Sequence, residues 1–294
     1  MFLYLNDAIV PAAEAKISVF DHGFLYGDGI YETMRAYDGV VFMLDDHIRR
    51  LSRSAGLIGL DIGKTADEIK LAIFEVLMSN ELKDAYVRLT ISRGAGPIGL
   101  DPALCKSPTF VVMAHKFQNY PKAYYEEGLS IVISSVRRNL KEALNPMIKS
   151  LNFLNNILAK IEAIKDGADE SLMLNAAGFL TEGTISNIFF VKGGILCTPS
   201  VDCGILDGIT RGIVATLATR SGILLQEGTF RSEDLYAASE VFITNSTMEV
   251  MPVRKVDHVH YKPGQVSRLL LAKYRDEAAA YVKEKKGESP SLWE

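Results

Sequence analysis

Apolar and polar residues alternate at two different periods along this chain, which predicts both strands and helices. In the first part, period-two segments on either side of Asn6-Asp7 and Asp38-Gly39 predict two β-hairpins. Apolar residues then recur every three or four positions over residues 44–58, which predicts an amphipathic helix. Residues 65–68, Thr-Ala-Asp-Glu, form a capping-box sequence and predict that a second helix begins there.

The pattern changes over residues 118–128, where a proline and several polar residues interrupt the strands. We therefore predict an N-terminal domain over residues 1–117, a linker over residues 118–128 and a C-terminal domain over residues 129–294. In the second domain short strands mix with helices, and a long helix is predicted over residues 266–283, followed by a frayed charged tail. Strands outnumber those of a regular βαβ array, so the predicted fold class is α/β of the mixed α+β kind.

Composition excludes several classes of function. The chain has 32 basic and 36 acidic residues among 294, a net charge of −4, whereas nucleic-acid-binding proteins normally carry a basic excess. No apolar run approaches the ~20 residues that a membrane-spanning helix needs. The three cysteines, Cys105, Cys197 and Cys203, form neither a disulfide framework nor a zinc-ligand spacing. We therefore expect a protein without metal, in the reducing cytoplasm.

Five short segments place reactive side chains where their surroundings matter. Lys149 stands between an apolar residue and a turn, where lost hydration favours the neutral, nucleophilic amine. Glu182 leads into an apolar strand, so its carboxylate needs a partner. Residues 204–211 enter a helix whose first N–H groups can bind phosphate, Arg50 can clamp a phosphate, and residues 244–247 end a strand in hydrogen-bond donors. Each segment taken alone also fits a structural role.

Taken together, the segments resemble those of fold-type IV pyridoxal-phosphate enzymes, which include branched-chain aminotransferases, D-amino-acid transaminases and aminodeoxychorismate lyases. The motifs that carry the resemblance are DHGFLYGDGIYE (21–32), LDDHIRRL (44–51), YVRLTISRG (86–94), IKSLNFLNNILAK (148–160), TEGTISNIF (181–189), GILDGITR (204–211) and EVFITNSTMEVMPV (240–253). The resemblance implies a two-domain, D-amino-acid-aminotransferase-like fold that binds pyridoxal 5′-phosphate between its domains. It also implies a homodimer in which the 94–100 loop of the partner subunit completes each active site.

The same resemblance implies a role for particular residues. Lys149 matches the lysine that binds the cofactor as an imine and moves the proton of the substrate. Glu182 matches the carboxylate that keeps the pyridine nitrogen protonated, and Leu206 matches the residue packed on the ring face away from the substrate. The residues that match the phosphate-binding set are Arg50, Ile209, Thr210 and Ser246.

Residues on the substrate side favour an L-amino-acid transaminase with branched-chain-like specificity that uses 2-oxoglutarate. Tyr86 and Arg88 resemble the Tyr-x-Arg of branched-chain aminotransferases, which helps to recognise carboxylates. D-amino-acid transaminases carry an arginine and a histidine where this chain has Ile98 and Leu100. The predicted substrate-binding residues are Tyr31, Tyr86, Arg88, Thr247 and Met248.

Three departures from the branched-chain pattern leave two other activities open. Residues 245–249, Asn-Ser-Thr-Met-Glu, resemble the lyases more closely than the usual Gly-Thr-Ala-Ala-Glu. Thr33 replaces a usual glycine and should narrow the pocket, and Phe153 replaces a tyrosine that hydrogen-bonds the cofactor. The alternatives are a 4-amino-4-deoxychorismate lyase, which eliminates pyruvate from its substrate, and a D-amino-acid transaminase with a different carboxylate trap.

Overall fold

Two structural units, each with its own β-sheet and core, make up residues 1–288, the part of the chain that this computed structural model describes. Unit 1 contains Met1–Gln118, Ile148–Asn152 and residues 278–288, and unit 2 contains Asn119–Met147 and Phe153–Glu277. Unit 1 therefore includes a short internal segment and the C-terminal part of the described chain. The domain boundaries predicted from the sequence place both of these segments in the second domain. That the chain folds as domains with those boundaries stays a prediction.

Unit 1 is built on a six-stranded sheet whose strand pairs are all antiparallel. Its strands are β1 (Phe2–Leu5), β2 (Ala8–Pro11), β3 (Gly29–Tyr37), β4 (Val40–Val41), β5 (Ala85–Ser92) and β6 (Thr109–Lys116). They follow the order β2-β1-β6-β5-β3-β4. The helices of this unit are α1 (His22–Tyr26), α2 (Leu44–Leu57) and α3 (Ala66–Ser79).

Local sequence accounts for these elements. Asn6 and Asp38 have positive φ angles of 58° and 47°, as the turns of the two predicted hairpins require, so both hairpins are confirmed. Thr65 and Glu68 cap α3 reciprocally, which confirms the predicted capping box. Alternate residues of β3 and β5 pack with α2 and α3 into one apolar core, because successive side chains of a strand point to opposite faces.

Unit 2 is built on a nine-stranded mixed sheet. Its strands are β7 (Leu129–Ile133), β8 (Glu170–Leu174), β9 (Leu180–Gly183), β10 (Asn187–Lys192), β11 (Ile195–Pro199), β12 (Leu225–Gly228), β13 (Glu240–Asn245), β14 (Glu249–Val256) and β15 (Val259–His260). The order is β12-β11-β10-β13-β14-β7-β8-β9, and β15 pairs with β14. Strand β9 also pairs with β10. The six strands from β10 to β9 in this order therefore close into a ring, and the free edge of β9 is covered by β10.

Parallel and antiparallel pairs occur together in this second sheet. Strands β7 and β8, β7 and β14, and β11 and β12 pair in parallel, and the other pairs are antiparallel. The helices of unit 2 are α4 (Lys122–Glu127), α5 (Leu154–Lys165), α6 (Ile209–Arg220), α7 (Ser232–Tyr236) and α8 (Gln265–Glu288), the last of which continues past Ala278. The predicted mixed α/β class is confirmed.

Two segments differ from the sequence-based expectation. The predicted linker contains α4, whose Tyr124 and Tyr125 pack on the core of unit 2, so aromatic burial replaces the expected irregular chain. Helix α8 continues to Glu288, beyond the predicted end at Lys283, and residues 289–294 of the predicted tail lie outside the described part. None of the helices described up to Glu288 is both long and apolar enough to cross a membrane.

The capping box of α3 gives a prediction about stability. Thr65→Ala removes the side-chain oxygen that accepts the Glu68 N–H, so we expect the free energy of unfolding to fall by about 1 kcal/mol. Denaturant unfolding of the variant and the wild type measures the difference. Ser52→Ala on α2 removes a hydroxyl that only donates back to the Ile48 carbonyl, and it should change the value by less than ~0.5 kcal/mol. Equal losses in the two variants would contradict the capping role.

Candidate active site

Backbone pairing with β3 fixes the position of Lys149. The Tyr31 N–H donates to the Lys149 carbonyl at 2.9 Å, and the Leu151 N–H donates to the Gly29 carbonyl at 2.9 Å. Ile30 and Ser150 form an isolated bridge at the same place. The segment Ile148–Asn152 therefore belongs to unit 1 although its neighbours along the chain belong to unit 2.

Tyr31 holds the amine of Lys149 by its hydroxyl and its ring. The Lys149 Nζ donates to the Tyr31 hydroxyl at 3.1 Å and lies 4.4 Å from the centre of the Tyr31 ring. The guanidinium carbon of Arg88 lies 4.2 Å from the same ring centre. The amine of Lys149 and the guanidinium of Arg88 both lie against one tyrosine ring, so contacts with the ring and a hydrogen bond set the geometry of this cluster. The structure thus brings together three of the predicted residues.

The register of the sheet explains why these side chains meet. Thr33 of β3 lies opposite Arg88 of β5, and Arg35 lies opposite Tyr86, so all four point to the same face as Tyr31. The hydroxyls of Thr33 and Tyr86 are 3.5 Å apart. This polar face is opposite the face that packs into the core of unit 1, which provides a platform for recognising polar groups of a ligand.

Arg50 lies in a buried cluster with Glu32 and His47. The Arg50 Nε donates to Glu32 Oε1 at 2.8 Å, and its Nη2 donates to Oε2 at 2.7 Å. The His47 Nδ1 lies 2.7 Å from Oε2, and the Glu32 side chain is 1% exposed. Arg49, by contrast, lies on the solvent-exposed face of α2, where it pairs with Asp46. Sequence reasoning missed Glu32 and gave His47 no role.

The ionisation of this cluster follows from burial and from its charges. Burial alone raises the pKa of Glu32, but the charge and hydrogen bonds of Arg50, helped by His47, hold that pKa far below its ordinary value. Burial lowers the pKa of His47 and outweighs its attraction to Glu32. Because its pKa is lowered, His47 is neutral. An ionised carboxylate only accepts hydrogen bonds, so the Nδ1 of His47 carries the proton that is donated to Glu32.

Glu182, at the end of β9, is a buried carboxylate with its own arginine. The Arg138 Nε donates to Glu182 Oε1 at 2.8 Å, and the Leu206 N–H donates to Oε2 at 2.9 Å. Asn155 accepts from Arg138 Nη1 at 3.2 Å, which steadies the guanidinium. Sequence reasoning did not find Arg138. It is one of two adjacent arginines in an irregular segment, and nothing in the local sequence shows that this arginine will be buried against a distant strand. Leu206 joins this group through its backbone N–H.

The start of α6 has the features of an anion site. The N-cap residue is Gly208, which has no side chain to cap the helix. The first N–H groups of α6, at Ile209 and Thr210, can therefore donate hydrogen bonds to a bound anion. Thr210 is buried. A side chain at Gly208 would approach Asn187 Oδ1 to 2.0 Å, so the close packing requires glycine here.

The turn after β13 is ordered by one side chain. The Asn245 Oδ1 accepts from the N–H and the hydroxyl of Thr247 at 2.9 and 3.0 Å, and from the N–H of Met248 at 2.7 Å. Ser246 lies within this turn. The buried Thr244 hydroxyl, just before it, has no hydrogen-bond partner among the described residues. Such a group can accept or donate to a bound ligand.

Each unit therefore gathers some of the predicted residues, and their functional roles stay predictions. Unit 1 holds Lys149, Tyr31 and Arg88 together, with Tyr86 on the same sheet face. Unit 2 joins Glu182 to Leu206. Over residues 1–288 no group of three histidine, cysteine or acidic side chains is arranged to hold a metal ion.

Comparison with known families gives a match over most of the chain. The model of the family described as amino-transferase class IV matches residues 29–256, a range that includes Arg50, Lys149 and Glu182. The match covers well over half of the 294 residues.

Individual relatives cover nearly the whole length. A Methanocaldococcus jannaschii protein, whose name gives branched-chain-amino-acid aminotransferase as a proposed activity, is 46% identical over 94% of this chain and 96% of its own. The aminodeoxychorismate lyase of Bacillus subtilis is 36% identical over 97% of each chain. Among solved structures, the T.th. branched-chain amino acid aminotransferase with pyridoxamine 5′-phosphate has a TM-score of 0.90 and 31% identity, covering 95% of this chain and 94% of its own.

The state of His47 predicts how stability depends on pH. Because the pKa of His47 is lowered on folding, the unfolded chain binds more protons at this residue near pH 6, and acid favours unfolding. The free energy of unfolding should therefore fall as the pH is lowered from about 7.5 to about 5.5, by up to ~1.4 kcal/mol per pH unit from this group. Denaturant unfolding at several pH values measures the slope. His47→Gln should flatten it, whereas His115→Gln, at an exposed position of β6, should not. An unchanged slope in His47→Gln would contradict the assignment.

Proposed function

The chain belongs to the class IV aminotransferase family, and we propose that it moves an amino group between a branched-chain-like L-amino acid and 2-oxoglutarate, with pyridoxal 5′-phosphate as cofactor. The observation that carries this proposal is the cluster on Tyr31. It combines an amine at Lys149 with a guanidinium at Arg88 on the same face of one sheet. An amine for covalent chemistry and a cation for a carboxylate are what amino-acid transfer requires.

The residues present fit pyridoxal 5′-phosphate. The uncapped start of α6, with Ile209 and Thr210, suits a phosphate, and so do the hydroxyl of Ser246 and that of Thr244, which has no hydrogen-bond partner within residues 1–288. A buried carboxylate that can accept a hydrogen bond from a pyridine N–H is available at Glu182. When bound, this cofactor supplies an aldehyde carbon and an electron-accepting ring. The residues that would hold it are Lys149, Arg50, Glu182, Leu206, Ile209, Thr210 and Ser246.

Lys149 carries the covalent and proton-transfer roles in this proposal. Its Nζ, when neutral, is a nucleophile towards an aldehyde, and it can take a proton from the α-carbon of an amino acid held nearby. The Tyr31 hydroxyl, 3.1 Å from Nζ, limits where the amine can move. Tyr31 thereby orients the group that moves the proton.

Glu182 acts as the hydrogen-bond acceptor for the pyridine nitrogen. Glu182 is 5% exposed, and its carboxylate already accepts from Arg138 and from the Leu206 N–H. These donors fix the plane of the carboxylate. An acceptor fixed in this way would hold a proton on the ring nitrogen of the bound cofactor, which would strengthen electron withdrawal from the reacting carbon.

Substrate recognition centres on Arg88. A transaminase of this specificity must accept an apolar side chain and also the γ-carboxylate of glutamate, and an unpaired carboxylate in an apolar pocket costs several kcal/mol. Arg88 offers the compensating charge, and Tyr31 and Tyr86 offer hydroxyls on the same sheet face. Thr247 and Met248 lie in the ordered turn after β13 and complete the proposed substrate set.

Two alternative activities are tested together with the proposed one. The lyase alternative rests on the 36% identity to the B. subtilis lyase and on the Asn245-Ser246-Thr247 run, whose Asn245 side chain orders the turn. A D-amino-acid transaminase requires another carboxylate trap, since Ile98 and Leu100 are apolar. Assays with L-leucine, L-glutamate, D-alanine and aminodeoxychorismate, following keto acid, pyruvate and aminobenzoate, distinguish the three activities.

We propose a homodimer located in the cytoplasm. An apolar face of α5 is exposed, which a second copy of the chain can cover. The residues of this face are Leu154, Ile157, Leu158, Ile161 and Ile164. The cysteines Cys105, Cys197 and Cys203 are all free thiols, as is usual in a reducing compartment.

The covalent role of Lys149 is tested by trapping. Borohydride reduction of the protein loaded with pyridoxal 5′-phosphate should attach the label at Lys149, and peptide mapping reads its position. Lys149→Ala should lose the label and at least about 10²-fold of turnover, the lower end of what a general base contributes. Lys141→Ala, in an exposed ion pair with Asp202, should keep both. A label on another lysine in the wild-type protein would refute the assignment.

The role of Arg88 is tested by comparing two substrates. Arg88→Leu removes the charge that offsets burial of a γ-carboxylate, so KM for 2-oxoglutarate or glutamate should rise by about tenfold or more, and KM for leucine much less. Steady-state kinetics on both substrates measure the split. Arg53→Leu on α2, outside the proposed substrate set, is the matched arginine control. Unchanged KM values for both substrates in Arg88→Leu would remove Arg88 from the substrate site, and release of pyruvate from aminodeoxychorismate without transamination would favour the lyase.

A further inference from the structure

Glu32 stands in an otherwise apolar row of the sheet of unit 1. On β3 its side chain points to the same face as those of Ile30, Met34 and Ala36, which are each at most 1% exposed. That face packs against α2 and α3 in the core of unit 1. Glu32 is equally buried, so the strand places an ionised carboxylate where its neighbours place methyl and methylene groups.

Stability alone does not explain a carboxylate at this position. Removing two charges from water costs free energy that their mutual attraction repays only in part, and apolar replacements of buried ion pairs are often no less stable. An apolar residue would also continue the row formed by Ile30 and Met34. The charge at Glu32 therefore points to a role beyond packing.

The geometry of the cluster shows what the carboxylate does to Arg50. Both carboxylate oxygens of Glu32 accept from one edge of the guanidinium, through Nε at 2.8 Å and Nη2 at 2.7 Å. Such a two-point bond fixes the plane and the direction of the guanidinium, which a single contact does not. The His47 Nδ1 donates to the same Oε2 at 2.7 Å and limits rotation of the carboxylate.

We propose that Glu32 is a positioning residue that holds the guanidinium of Arg50 in the orientation needed to bind the 5′-phosphate of the cofactor. This inference rests on the proposed function, in which Arg50 binds that phosphate, and Glu32 acts only through Arg50. A carboxylate near a phosphate repels it, so the gain comes from orientation. Arginine has many rotamers, and a guanidinium fixed before binding loses less entropy when the phosphate arrives.

The test compares two ligands that differ only in the phosphate. The apoenzyme is titrated with pyridoxal 5′-phosphate and, separately, with pyridoxal, and the dissociation constants are measured from the absorbance of the bound ring. We expect Glu32→Gln, whose amide cannot accept both donors of Arg50, to weaken pyridoxal 5′-phosphate by about tenfold and to leave pyridoxal unchanged. In an Arg50→Met background the same substitution should have no further effect.

Controls separate positioning from folding. Asp46→Asn breaks the exposed pair of Asp46 with Arg49 on the same helix, and it should bind both ligands like the wild type. Thermal unfolding of each apoenzyme shows whether the variant folds. If Glu32→Gln does not fold, Glu32→Asp keeps the charge but shortens the side chain, and it should show a smaller loss of phosphate-dependent affinity.

Each outcome decides between the inference and the function on which it rests. If Arg50→Met loses affinity for pyridoxal 5′-phosphate and Glu32→Gln does not, the positioning role is wrong and the proposed role of Arg50 stands. If Arg50→Met also binds like the wild type, the proposed phosphate role of Arg50 fails. An equal loss for pyridoxal and pyridoxal 5′-phosphate in Glu32→Gln, or failure of both Glu32 variants to fold, assigns the carboxylate to the fold and rejects positioning.

Discussion

The two-residue period of β3 is the constraint on which unit 1 depends. One row of its side chains, Ile30 to Ala36, packs into the core, while the other row carries Tyr31 on the polar face. The backbone of the same strand pairs with Ile148–Asn152 and so fixes the Cα of Lys149. A shift of β3 by one residue would exchange the two rows, turning Tyr31 towards the apolar core and the core residues towards the polar face. Packing and chemistry are therefore fixed by one register.

Local signals in the sequence predicted many of the helices and strands, whereas the roles in the proposed site came from the resemblance to known enzymes. The capping box of α3 and the hairpin turn at Asp38 are properties of a few adjacent residues, and both occur as predicted. Lys149 and Glu182 each stand at an unusual point of an apolar pattern, but that signal alone also fitted a structural role, and the resemblance to known enzymes singled them out. Local preferences of this kind are kept in the folded protein, because caps and turns form from adjacent residues wherever the segment lies.

What the sequence did not reveal depends on contacts between distant residues. Arg138 is an ordinary member of an Arg-Arg pair until β9 brings Glu182 to 2.8 Å from its Nε. The attachment of residues 148–152 to unit 1 depends on pairing with β3, more than a hundred positions earlier in the chain. Glu32 differs, since a carboxylate between Ile30 and Met34 breaks the alternation and was a readable signal that a count of apolar positions passes over.

The two buried carboxylates of the proposed site share one physical solution. Glu32 and Glu182 are each paired with an arginine that is itself largely buried, and each accepts a further N–H, from His47 or from Leu206. Burial raises the free energy of an ion, but it also removes the water that would screen its field and compete for its lone pairs. A carboxylate held in this way keeps its direction. Because a fixed direction is not needed for packing alone, we propose that these two carboxylates belong to a site prepared before its ligand binds.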